Sequence, residues 1–182
     1  MNIFVLDLNP EEAARQHCDK HVVKMILETV QMLITTYYTL ENIYDNKKLD
    51  NNKLKKIFPK FPLKDSENNI KYYKLTHVNH PCTKWVRDSL SNFNWLLKLW
   101  LALCKEYTFR YKKIHKLEKV LLWIEKNKPN NIIDKGLTEF AQAMPEIYKV
   151  EKDAVQSYRN YYIGEKHKFA KWAYTEQPNW WK

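Results

Sequence analysis

The sequence predicts an all-α fold: a compact single-domain bundle of about five or six helices over residues 1–182, with a short extended N-terminal segment. Three observations predict it. Apolar residues recur at helical spacing over long stretches, separated by proline-bearing and Asn/Lys-rich connections. The chain has only two glycines, Gly136 and Gly164, so it contains neither a Gly-rich phosphate loop nor a dinucleotide fingerprint, and nucleotide-binding α/β folds are excluded. Finally, 182 residues suffice to bury one core without disulfides or a structural metal.

Residues 2–7, short, apolar and poor in helix formers, read as an extended segment tucked into the core. Asn9 as N-cap, Pro10 at the first helical position, and Glu11 and Glu12 in the first turn, with Glu12 placed for a capping box, open a helix predicted to run from Pro10 to Leu40. Residues 43–73, rich in Asn, Asp and Lys with Pro59 and Pro62, read as a surface connection with one short turn around Lys53–Ile57. A second helix is expected from His80-Pro81 to Tyr111. Its apolar content, from Trp85 through Trp100 to Leu103, marks it as central. A third covers Ile114–Asn127 and stops before Pro129. Thr138 is placed to cap a short helix ending near Met144-Pro145, and Glu151–Tyr162 forms the last, closed by Gly164.

No run of apolar residues spans a membrane and no secretory leader is visible, so the expected compartment is the cytoplasm, or the host cytoplasm or nucleus for a viral protein. Cys18, Cys82 and Cys104 are too few and scattered for a disulfide framework and read as reduced thiols. A formal net charge of +10 points to an anionic partner, for which RNA, DNA and nucleotides all qualify. The oligomeric state is not legible. Lysine so outnumbers arginine that only Arg15, Arg87, Arg110 and Arg159 remain, which singles them out as places where a planar fork is needed. Lys53, Lys55, Lys56, Lys60 and Lys64 read either as part of an anion-binding surface or as decoration of a solvated loop.

Four clusters could carry chemistry. His17, His21, Lys24 and Glu28, with Lys20 on the flank, share a stripe of the first predicted helix beside an apolar stripe, and suit acid/base work. Asn79 and His80 open the second helix and lead to Arg87 and Asn92; they are either catalytic and binding groups or a helix cap and packing. Arg110, Tyr111 and His115 form a third group. Tyr158, Arg159, Tyr162, Lys168 and Trp172 interleave basic and aromatic side chains, which suits base stacking and phosphate contact, or else a core with basic neighbours. A metal site from His17 and His21 with His77, His80 or Cys82 is a weaker possibility, lacking any C-x-x-C or H-E-x-x-H run, and no metal ligands or cofactor are assigned. Basic charge and these polar clusters, taken together with a family resemblance carried by Gln16-His17 and the Asn79-His80-Pro81 helix opening, give as the leading reading a DNA-acting enzyme of glycosylase/lyase or base-modification type. The alternatives are a non-catalytic nucleic-acid-binding protein and a metal-dependent hydrolase of nucleotides or other phosphorylated small molecules.

The order of a short extended start, a first helix containing Gln16-His17, a long irregular connection, an Asn-His-Pro helix opening and an aromatic, basic end resembles the phage pyrimidine-dimer DNA glycosylases of endonuclease V type. The chain also resembles a group of phage and giant-virus proteins sharing His-Cys-Asp-Lys-His and Asn-His-Pro-Cys. The glycosylase resemblance implies an N-terminal amine that attacks the sugar, a first-helix glutamate, and basic residues holding a duplex with a flipped base. Aligned on Gln16-His17, Lys24 falls near the family's glutamate position and Glu28 lies a turn further on. Asn2 disfavours removal of the initiator methionine, so the resemblance assigns the amine to Met1.

Overall fold

Asn9 caps the first helix through its side chain, which accepts the backbone N–H groups of Glu11 at 2.8 Å and Glu12 at 3.3 Å, with Pro10 next in line. The structure is a computed structural model that describes residues 1–181, without the side chain of Lys48. Its helices are α1 (Pro10–Gln16), α2 (Asp19–Leu40), α3 (Asn51–Ile57), α4 (Pro81–Asp88), α5 (Leu90–Tyr111), α6 (Glu118–Lys126) and α7 (Ala154–Lys166). Two 3₁₀ turns lie at Asn46–Lys48 and Glu146–Tyr148. Among the described residues the extended pairing is confined to one isolated bridge, Lys64 to Ile70, so the fold is all-α as expected, with seven α-helices. None of the helices is long and apolar enough to cross a membrane.

The helix count exceeds the expectation because two predicted helices are each interrupted. The first breaks at His17-Cys18, whose backbone is extended (ψ 136° and 160°). The break exposes carbonyls that distant side chains capture. Arg110 donates to Arg15 O and His17 O, both at 2.8 Å, and Trp172 Nε1 donates to Gln16 O at 3.1 Å. Without these partners the buried carbonyls would be unsatisfied and the continuous helix would win. The second breaks at Ser89 (φ −146°, ψ 144°), where the 133–138 loop enters. Ser89 Oγ lies 2.7 Å from Gly136 O, and Asn92 Nδ2 donates to Trp85 O at 2.8 Å.

Other boundaries also move. The predicted Ile114–Asn127 helix starts only at Glu118, because His115 Nδ1 accepts the Leu117 N–H and holds a turn there. Thr138 caps no helix; its N–H and Oγ1 are both bonded to the Asn92 side chain. Gly164 lies inside α7 instead of closing it. A Cβ there would stand 2.3 Å from the Tyr148 ring, so close approach, not a left-handed turn, explains the glycine. Glu12 pairs with Arg15 at 2.6 Å, and Asp7 takes the capping-box role by accepting the Asn9 N–H at 2.9 Å.

The core runs along α5, with α1, α2, α4 and α6 packed against it. Residues 3–6 are buried in it, as predicted. The 43–73 connection is more than surface: Phe58 and Phe61 are buried against Tyr37, Tyr38 and Trp123. That aromatic cluster anchors the connection and carries its end, residues 74–80, back to the chain's first residue.

Candidate active site

Phe4 sits in the left-handed region (φ 50°), unusual for a residue with a bulky side chain, and this turn hooks residues 1–3 back over α2. Asn2 holds the hook. Its Nδ2 donates to Ala143 O at 2.8 Å, its Oδ1 accepts the Ile3 N–H at 2.8 Å, and its backbone N–H donates to Glu28 Oε2 at 2.9 Å. The α-amino nitrogen of Met1 consequently lies 3.8 Å from the same Glu28 oxygen. Met1's side chain is only 2% exposed, held near Thr83 Oγ1 at 3.4 Å, although the residue as a whole is half-buried. The surface Met1 presents is therefore main chain. Lys24, one helical turn before Glu28, reaches Glu28 Oε1 at 3.3 Å, so each oxygen of a largely buried carboxylate faces a cation.

Over this pair opens a cavity of about 560 Å³ lined by Met1, Tyr44, His77, Val78, Asn79 and His80. His80 ends the connection as the N-cap of α4; its Nδ1 accepts the Cys82 N–H at 3.2 Å. An imidazole accepting at Nδ1 carries its proton at Nε2 when neutral. Burial, then the positive α-amine, then His77 lower its pKa, with Glu28 opposing, so the neutral form prevails near pH 7. Arg87 donates to Val78 O at 2.7 Å and fixes the 77–80 turn, in which His77 is itself left-handed (φ 48°). Cys82, buried below, has its thiol pushed up to about 11 by burial and is no nucleophile near neutral pH.

The remaining predicted residues fall elsewhere. His17 and His21 face the core, not the cavity: His17 lies beyond the helix break, and His21, in the same unbroken α2 as Glu28, is covered by the rings of Phe4 and Tyr162. Burial holds the His17 pKa down to about 4; burial, then His17, Lys24 and Lys166, hold His21 down to about 2. His17 Nδ1 bonds Ala13 O at 2.6 Å, and His21 Nδ1 bonds the Tyr162 hydroxyl at 2.5 Å. Phe4 lies against His21, with ring centroids 4.7 Å apart. Lys20 is exposed, its ammonium over the Phe169 ring. Arg110 is fully buried in ion pairs with Asp19 (3.0 Å) and Glu106 (2.9 Å), and Tyr111 donates to Asp19 O. Asn92, Tyr158 and Tyr162 are completely buried and Trp172 nearly so, leaving no ring face for a base to stack on; His115 serves its turn. Arg159 donates to Leu6 O at 3.0 Å and stacks on Trp180, while Lys168 is exposed. No three His, Cys, Asp or Glu side chains among the described residues converge as metal ligands, so the His17/His21 metal set expected as an alternative is not assembled.

The site thus unites Lys24, Glu28, Asn79 and His80 from the prediction with Met1, Tyr44 and His77. Tyr44 carries no sequence signal; only the path of the 43–80 connection brings it here.

The family model for pyrimidine dimer DNA glycosylase matches residues 1–119, well over half of the chain. The chain belongs to that family. The matched span contains Met1, Glu28 and the whole lining of the cavity, and ends just inside α6. DNA is accordingly the substrate class of the family. No curated protein and no solved structure matches the chain.

Proposed function

We propose that this pyrimidine-dimer-glycosylase relative is a DNA glycosylase/lyase that removes a damaged or modified base, with the Met1 α-amine as nucleophile and Glu28 as its acid/base partner. The observation that carries the proposal is the 3.8 Å approach of the α-amino nitrogen to Glu28 beneath an open cavity. Its volume, about 560 Å³, lies within the range of ligand sites and suits one extruded nucleotide.

Chemically, the ammonium first loses a proton, with Glu28 the nearest base. The freed amine attacks C1′ of the sugar; the N–C1′ bond forms, and the bond from C1′ to the base breaks, the base leaving with the electron pair and taking a proton from solvent. Glu28, having released the first proton to solvent, accepts a second amine proton. Opening of the sugar ring then breaks C1′–O4′ and forms the C1′=N imine, and the proton held by Glu28 passes to O4′. Lys24 and the Asn2 N–H orient the carboxylate throughout, and neutral His80, with its Nε2 proton, is placed to donate to the substrate.

Borohydride trapping on duplexes containing a thymine dimer, an abasic site or a modified base tests this. The expected product is a protein–DNA adduct that peptide mass mapping assigns to the N-terminal peptide. No adduct across the panel, or an adduct on Lys20 or Lys24, overturns the amine assignment. If DNA binding persists with no adduct and no base release, the non-catalytic binding protein takes its place.

A further inference from the structure

We propose that a second cavity, between the 63–73 hairpin and the α5–α6 turn, is a nucleotide-binding subsite. It seats one base against Tyr72 and Tyr73 and the attached phosphate on Lys64, Lys71 and Lys116. The cavity is about 190 Å³ and is lined by Leu63, Leu117 and these five residues. It shares no residue with the Met1 cavity. At about 30 Å³ of liquid per water, it has room for one planar ring system and not for a duplex.

Its chemistry is two-sided. The walls are apolar or aromatic, and the Tyr72 ring is fixed from behind by stacking on Phe61, with centroids 5.9 Å apart. The rim is cationic: Lys64, Lys71 and Lys116 are exposed, and none is in an ion pair among the described residues. No acid lines the cavity, and Asp65 accepts the N–H groups of Glu67 and Asn69 within the hairpin turn. The walls are built, not incidental: Lys71 N donates to Leu63 O at 2.9 Å, and Tyr38 donates to Tyr73 O at 2.5 Å. Within them the Tyr72 hydroxyl is buried without a hydrogen-bond partner. A buried unpaired hydroxyl is unfavourable in the empty protein, and the polar edge of a base would satisfy it. An aromatic seat, a free hydroxyl and three unpaired ammonium groups together match a nucleoside phosphate. Phosphate alone has no use for the rings, and an apolar ligand has none for the lysines.

The ligand chemistry is shared by a free nucleotide and by one nucleotide of a single strand, and the probes separate them. Anisotropy of a labelled oligodeoxythymidylate is followed against salt for the full chain, for Lys64→Ala/Lys71→Ala/Lys116→Ala, and for the control Lys98→Ala/Lys105→Ala/Lys126→Ala. Loss of the single phosphate contact should lower the slope of log K against log salt by about 0.7, the contribution of one neutralised phosphate on a single strand; the control should barely change it. Tyr72→Phe should keep its thermal midpoint or raise it, because only an unpartnered hydroxyl is lost, yet bind about 5- to 20-fold more weakly, the effect of one hydrogen bond to a base. Displacement of the oligomer by deoxyadenosine monophosphate would identify a free nucleotide as sufficient; its failure would identify a strand. Equal losses in the two triple variants, or unchanged affinity in Tyr72→Phe, overturn the subsite.

Discussion

His17 and His21 lie in a closed cage with Phe4 and Tyr162, whereas His77 and His80 border an open cavity beside the Met1 amine. The residues are alike and their surroundings differ. In the cage, burial removes the charged form from reach, and the Tyr162 hydroxyl and the Ala13 carbonyl use each ring as a hydrogen-bonding strut. At the cavity, burial is partial and an α-amine, a lysine and a glutamate lie within electrostatic range, so the same imidazole can take part in proton traffic. Histidine density in a sequence therefore marks polar interiors as readily as sites, and the surrounding solvent decides between the two.

The sharpest way to break this comparison is Glu28→Gln. If the cavity region carries the chemistry, borohydride-trapped adduct formation should fall by about 10²- to 10⁴-fold, the usual range for a lost acid/base group. Cage substitutions such as His17→Asn that leave the fold intact should not produce a comparable loss. Next in size is Arg110→Ala, which removes the cation from a buried cluster with Asp19 and Glu106 and uncovers two backbone carbonyls. An expected loss of about 3–5 kcal/mol in denaturant unfolding would show the His-Cys-Asp-Lys-His segment to be a structural knot; a loss below about 1 kcal/mol would contradict that.

The cage also predicts acid sensitivity. The folded pKa values of His17 and His21, about 4 and about 2, are below the ordinary 6.5. The unfolded chain thus binds protons that the folded one refuses. Stability is full above pH 6.5 and falls as pH drops, from 6.5 to about 4 for His17 and on to about 2 for His21, by up to about 1.4 kcal/mol per pH unit for each histidine. Unfolding at pH 5 should take up close to two protons from these sites, and His17→Asn should reduce the uptake by one. An uptake unchanged by that substitution would separate the acid response from the cage. The smallest effect expected is that of Tyr162→Phe, which leaves His21 and the Cys18 N–H without their shared hydroxyl. It should lower stability by about 1–3 kcal/mol in thermal or denaturant melts and leave adduct formation by the folded fraction intact.

Much of the molecule was legible from local chemistry. Helical periodicity, the Asn9-Pro10 opening and the His80-Pro81 opening define where chain segments turn helical, and Glu28 could be named because it continues the His17, His21 and Lys24 stripe at helical spacing. The breaks at His17-Cys18 and at Ser89 were not legible, since each depends on hydrogen-bond partners nearly fifty residues or more away: the donors Arg110 and Trp172 for one, the Gly136 carbonyl of the 133–138 loop for the other. The displacement of His17 follows from the first break, whereas His21 is closed off by the Phe4 and Tyr162 rings, which come from distant parts of the chain.

By itself, then, the sequence determined an all-α chain with a large positive charge and a family whose substrate is DNA. Those properties reside in composition, in short-range periodicity and in motif order. Only the tertiary structure decided which polar residues meet. The left-handed turn at Phe4 brings Met1 to Glu28, the aromatic anchor at Phe58 and Phe61 returns the 43–80 connection to that point, and the Phe4 and Tyr162 rings close over His17 and His21. Each of these depends on long-range partners for groups that cannot be buried unpaired, and such partners leave no trace in local spacing.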